Sequence, residues 1–123
     1  MKLSRVLVLL VVAGALIPAA ALAHRRATKA ERSAVLAAVV RQGQLSKAQA
    51  ACQVVAISTA NHYYAAATWP TKLSRACMRV AANGVIIEHR TARGWQFVTV
   101  GSSFQCPIQG VPTRVARDLG VCD

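Results

Sequence analysis

VIIEHRTARGWQFVTVG, residues 85–101, holds two β-branched or aromatic runs, VIIEHR and WQFVTVG, around the connection Thr91-Ala92-Arg93-Gly94. Two such runs joined by a short glycine-containing link read as a β-hairpin. Side chains alternate across a strand, so Trp95, Phe97 and Thr99 are expected to point one way and Gln96, Val98 and Val100 the other. Upstream, QVVAIST (53–59) and YYAAATW (63–69) form a second pair turned at Ala60-Asn61-His62, and Pro70 ends it. PTKLSRAC reads as a loop. MRVAANG reads as a short strand closing on Asn83-Gly84, a strong turn signal. The hairpin therefore belongs to an antiparallel sheet of four or five short strands.

Helices flank that sheet in the sequence. TKAE (28–31) is the T-x-x-E of a capping box, in which Thr28 accepts from the Glu31 amide and the Glu31 side chain reaches back to Thr28. Leu36, Val39 and Val40 recur at helical spacing beside Val35, and Gly43 suits the residue after the C-cap. This pattern predicts a helix over 29–42 lying on the sheet. Near the other terminus Pro112 suits a first turn, Val115 and Leu119 sit four apart on one face, and Gly120 ends the helix. The fold class expected is α+β, an N-terminal helix on an antiparallel sheet followed by a short C-terminal helix.

The amino terminus sets the compartment. MKLSR carries Lys2 and Arg5, residues 6–17 form a twelve-residue run without charge, and PAAALA ends on Ala21-Leu22-Ala23. A basic start, a short apolar segment and an A-x-A site make a secretory signal peptide, expected to be cut after Ala23. The alternative is an anchor that stays, since the uncharged segment reaches 18 residues, near the lower limit for a span; Pro18 and the alanine-rich end favour cleavage. Residues 24–123 then form one small domain, with 24–28 as a flexible basic start.

A domain of this size has a modest core, and exported examples often carry disulfides. Cys52, Cys77, Cys106 and Cys122 allow three pairings, among which sequence alone does not choose; Cys52–Cys77 and Cys106–Cys122 are the favoured ones. None of the spacings is C-x-x-C, which argues against a zinc ribbon or a redox pair. Cys106 lies in GSSFQCP (101–107), where the chain leaves the last strand. There Gly101 permits a sharp exit, and Ser102 and Ser103 can bond nearby amides.

Catalysis finds little support. Ser102 and Ser103 lack the G-x-S-x-G elbow. The histidines are His24 near the terminus, His62 in a turn and His89 on a strand, with only Glu31, Glu88, Asp118 and Asp123 as acids. Glu88 and His89, as strand neighbours, face opposite sides. Two histidines also fall short of a catalytic zinc set. No catalytic residue, metal ligand or cofactor is assigned.

Without Lys2 and Arg5, thirteen of the fifteen Lys and Arg remain against four acids, a net charge of +9 that favours anionic neighbours. The candidate contacts are Arg25, Arg26, Lys29 and Arg32 at the amino end, Arg90 and Arg93 around the hairpin, and Arg114 and Arg117 on the last helix. Arginine suits forked contacts to phosphate or carboxylate. The plain alternative is that these cations only keep an alanine-rich domain solvated.

The Trp95 hairpin, Gly101-Ser102, Cys106, Val111-Pro112, Leu119 and Cys122 together resemble small exported proteins of high-GC Gram-positive bacteria, over residues 57–122. The resemblance implies fold and compartment and transfers no catalytic residue. The function expected is a non-enzymatic secreted or cell-envelope domain whose basic face meets an anionic envelope component or another exported protein. Contact with a membrane is expected only through an uncleaved leader. The competing classes are a small secreted hydrolase and a nucleic-acid-binding protein, and export removes the usual targets of the latter.

Overall fold

The computed structural model describes residues 24–122; the leader expected over 1–23 lies outside them. The first element, β1 (His24–Arg26), pairs antiparallel with β2 (Val54–Ser58), Arg25 opposite Ile57. Between them run two helices, α1 (Lys29–Arg41) and α2 (Lys47–Ala50). The chain continues through β3 (Tyr64–Thr68), the short α3 (Arg75–Met78), the hairpin β4 (Val85–Thr91) and β5 (Gly94–Gly101), and ends in α4 (Thr113–Asp118). The strands lie in sequence order in one antiparallel five-stranded sheet.

α1 forms where its caps dictate. Thr28 Oγ1 accepts from the Glu31 amide at 3.2 Å and Glu31 Oε1 accepts from the Thr28 amide at 3.0 Å. At the other end the Gly43 amide reaches the Val40 carbonyl and the Gln44 amide the Val39 carbonyl, both at 3.0 Å, with Gly43 at φ +74°. That is a Schellman closure, which needs the left-handed conformation glycine adopts freely. A second capping box, Ser46 with Gln49, starts α2.

Both faces of the sheet are covered. Val35, Leu36, Ala38 and Val39 of α1 pack with Val55, Ile57, Ala65, Ala67, Ile86 and Trp95. Val115 and Ala116 of α4, with Leu119 just after it, pack with Tyr64, Ala66 and Ile87. Neighbours such as Ala66 and Ala67, or Ile86 and Ile87, thus serve opposite faces. Ala65, Ala66 and Ala67 are almost wholly buried, and their small side chains give both helices room near the central strand.

Five expectations need correction. Residues 24–26 are not a loose start but an edge strand, because the β2 edge offers unpaired backbone groups; the His24 ring Nδ1 also lies 3.0 Å from the Asp118 carbonyl. MRVAANG is not a strand and PTKLSRAC is not all loop. Ser74 accepts from the Cys77 amide at 3.2 Å and starts α3, which the Cys77 bridge to Cys52 ties to the end of α2. In β5, Ile87 faces Thr99 while Glu88 faces Phe97, so Val98 is an extra residue. That bulge reverses the alternation beyond it and sets Val100 opposite Ile86, on the Trp95 side of the sheet. Finally, the hydroxyls of Ser102 and Ser103 bond no described residue, and the corner is held by packing instead. A Cβ at Gly101 would lie 3.1 Å from the Phe104 ring.

The disulfides are Cys52–Cys77 and Cys106–Cys122. GSSFQCP is therefore the corner of a staple that holds the chain end against the α4 face. Two bridges fit an oxidising, extracytoplasmic environment. No described helix is long and apolar enough to cross a membrane.

Candidate functional site

The eight cations singled out by the sequence do not share one face. Lys29 and Arg32 ride on α1 and Arg114 and Arg117 on α4, across the sheet, while Arg90 and Arg93 sit at the β4–β5 turn. Arg25 and Arg32 are among those engaged internally. Arg25 donates through Nη1 and Nη2 to the two Glu31 oxygens, both at 2.7 Å. That pair, with the Thr28 amide adding to it, holds the Glu31 carboxyl down at about 2. Arg32 donates to the Gln53 carbonyl at 3.0 Å and the Ala51 carbonyl at 3.2 Å, clasping α1 to the chain after α2.

Around that clasp the structure gathers other residues. A groove of about 460 Å³ runs between α1 and α2 over Leu36, Ala37, Val40, Ala50 and Ala51. Its cations are Arg32, Arg41 and Lys47, and none of its lining residues is acidic. Arg41 and Lys47 are exposed. Lys29 lies on the same helical stripe, one turn before Ser33. Arg41 and Lys47 were not among the eight candidates. The S-x-x-Q spacing of Ser46 and Gln49 signals α2, but the groove and the place of Lys47 in it depend on how the two helices pack.

The residues considered for catalysis are dispersed. Ser102 borders a cleft at the start of β4, whereas His89 borders a separate groove with Phe97 and Gly110. The His89 ring stacks on Tyr64 at 4.3 Å, and His62 packs on Tyr63. No group of three metal-ligating side chains occurs among the described residues.

Two acids are used in ways the sequence did not show. Asp118 Oδ2 accepts from Ser58 Oγ and the Thr59 amide, both at 2.7 Å, and Oδ1 accepts from Thr59 Oγ1 at 2.8 Å. Burial alone would raise this carboxyl, but the bonds from Ser58, Thr59 and Ala60 outweigh it and lower it. Asp118 thus ties α4 to the β2–β3 turn. Asp118→Ala would leave the buried Ser58 hydroxyl without this acceptor and is expected to cost about 2 kcal/mol in a urea titration. An Asp118→Ala midpoint matching that of the parent would remove the tie from the account.

Glu88 is the other. It is fully buried between the sheet and α1, and neither carboxyl oxygen has a hydrogen-bond partner. The nearby Gln42 donates its amide to the Trp95 carbonyl at 2.9 Å, leaving Gln42 Oε1 also without a partner. Burial pushes Glu88 up to about 7; Gln42 and the Arg41 charge pull the other way and do not offset it.

Comparison with protein-family models, with curated proteins and with solved structures finds no match to this chain.

Proposed function

We propose that the protein is an exported, non-enzymatic binding domain of the envelope or its surroundings, whose α1–α2 groove receives an acidic amphipathic segment of another exported protein. The observation that carries this reading is the groove itself, an apolar floor bordered by Arg32, Arg41 and Lys47 with no acid among its lining residues. A polymer of bare anions would use the cations and leave the floor unused. A segment with one apolar and one acidic face uses both, in the manner of a helix laid in a groove. Export rests on the leader at 1–23, on the resemblance to small exported proteins, and on the disulfides. A cut after Ala23 would leave β1 whole. The intact mass of exported protein, alkylated before and after reduction, tests this: it should begin at His24 and take four labels only after reduction.

The groove is tested with a synthetic amphipathic helix bearing glutamates on one face and leucines on the other. Its binding is expected to shift amide signals of Leu36, Ala37, Val40 and Ala50. The double substitution Arg41→Ala with Lys47→Ala should weaken it about tenfold, an effect that fades as salt rises. Arg114→Ala, across the sheet, should leave the affinity unchanged. Equal losses in both variants, or shifts scattered over every cation, would mark a diffuse attraction for polyanions and remove the groove from the reading.

A further inference from the structure

A second site lies away from the groove. The connection from β3 to β4, residues 69–84, folds back over one end of the sheet and is held there by the Cys52–Cys77 bridge. Between this connection and the Gly101 corner opens a cleft of about 410 Å³, bordered by Trp69, Leu73, Val85 and Ser102. A smaller and more enclosed chamber of about 110 Å³ adjoins it, and the two share Trp69, Ala82, Asn83 and Gly84. Leu45, Ile86 and Val100 supply apolar walls of the chamber, and Gln44, Gln49 and Gln53 supply amides.

Three features separate this place from ordinary surface. None of the residues lining the cleft or the chamber carries a charge, in a chain of net charge +11. Gln53 is 3% exposed, and its Nε2 is a donor without a partner. A buried donor left unpaired is costly, so a group that accepts from it gains more than one bonding an exposed amide. Gln49, by contrast, is already engaged, donating to the Val80 carbonyl and accepting from the Ser46 amide. Trp69, half-buried at the junction of the two spaces, offers a flat apolar surface with a polar edge.

We propose that the Trp69 cleft and its chamber form a binding site for a neutral N-acetylated sugar, with the acetamido group in the chamber accepting a hydrogen bond from Gln53 and the sugar ring against Trp69. The absence of lining charges disfavours an ionic ligand. A sugar ring presents C–H groups to an aromatic plane and hydroxyls to side-chain amides such as Asn83. An acetamido group combines the two things the chamber asks for, a carbonyl acceptor and a methyl for the Leu45, Ile86 and Val100 walls. The disulfide keeps the loop side of the cleft in place before a ligand arrives, which lowers the ordering cost of binding.

The test is a titration of the oxidised protein with N-acetylglucosamine, followed through the side-chain amide signals of Gln53 and the indole N–H of Trp69. Saturable shifts of both are expected, with glucose, which lacks the acetamido group, binding at least tenfold more weakly. Gln53→Met keeps the side-chain length and should reduce affinity by a similar factor. Trp69→Ala, at a partly exposed position, gives an independent loss should Gln53→Met fail to fold. The proposal is overturned if N-acetylglucosamine shifts neither signal, if glucose binds equally well, or if both variants bind as the parent does. Water filling the chamber and nothing more would give the first of these results.

Discussion

Reduction of both disulfides is expected to unfold the domain at room temperature. Cys52–Cys77 spans 25 positions and Cys106–Cys122 spans 16. Closing loops of these sizes contributes about 3 kcal/mol each in the chain-entropy model. Their sum, about 6 kcal/mol, is as large as the whole net stability of many small domains. The two bridges should differ when removed singly. None of residues 69–84 belongs to either core cluster, so replacing Cys52 and Cys77 by alanine should free mainly the loop and the Trp69 cleft. Cys106 and Cys122 pack against the α4 cluster beside Phe104, Ile108 and Val121. Replacing them should loosen that face and blunt the cooperativity of unfolding. Urea titrations of the three forms, read by far-UV circular dichroism, check this. A fully reduced protein with the midpoint of the oxidised one would show that the sheet and α1 suffice.

The second large effect concerns pH. The Glu88 carboxyl stands at about 7 in the folded protein against an ordinary value of 4.5. Between these limits the folded chain holds a proton that the unfolded chain has released, so stability falls as pH rises. The loss begins near pH 4.5 and is complete just above pH 7, with a total of at most about 3 kcal/mol. Glu31 and Asp118 have the opposite sign: both are lowered, so their contribution is present above the usual carboxylate range and is lost in acid. The domain should therefore be most stable in mild acid. Protonation removes the charge that burial penalises, which is how a carboxyl without a hydrogen-bond partner is tolerated there. Glu88→Gln is close in shape and stays neutral at every pH. It should match the parent near pH 4.5 and exceed it above pH 7.5, with melting temperatures across pH as the measurement. Parallel pH profiles for the two proteins would mean that Glu88 reaches solvent and titrates normally.

Much of the fold was legible because it is written in local terms. The Thr28–Glu31 box, the helical recurrence of Val35, Leu36 and Val39, Gly43 and Gly120 after the helices, and the hairpin around 91–94 each involve residues a few positions apart. The central strand was found despite its composition, since alanine is depleted in strands. It serves there because both faces of β3 are covered and bulk would hold the helices away. The second capping box, Ser46 to Gln49, was also local and was passed over. So was Ser74, whose hydroxyl starts α3 where a loop was expected.

The site was far less legible. Charge counting found thirteen cations beyond the leader but not their grouping, because neither the Arg25–Glu31 pair nor the Arg32 clasp is visible in spacing. Arg41 and Lys47 become neighbours only through the packing of α2 on α1, and Gln53 lines the chamber beside the Trp69 cleft only because residues 69–84 fold back over it, held by Cys52–Cys77.

By itself, then, the sequence determined the α+β class, the places of α1, α4 and four of the five strands, and a cysteine framework with two favoured bridges. Caps, turns and side-chain periodicity act over a few residues, so a linear reading reaches them. Tertiary structure alone decided that residues 24–26 join the sheet, that Val98 bulges and turns Val100 toward the α1 side, and that Glu88 is fully buried without a hydrogen-bond partner. Each of these depends on which distant surface covers a residue, and burial, unlike helical or strand propensity, is a property of the assembled chain.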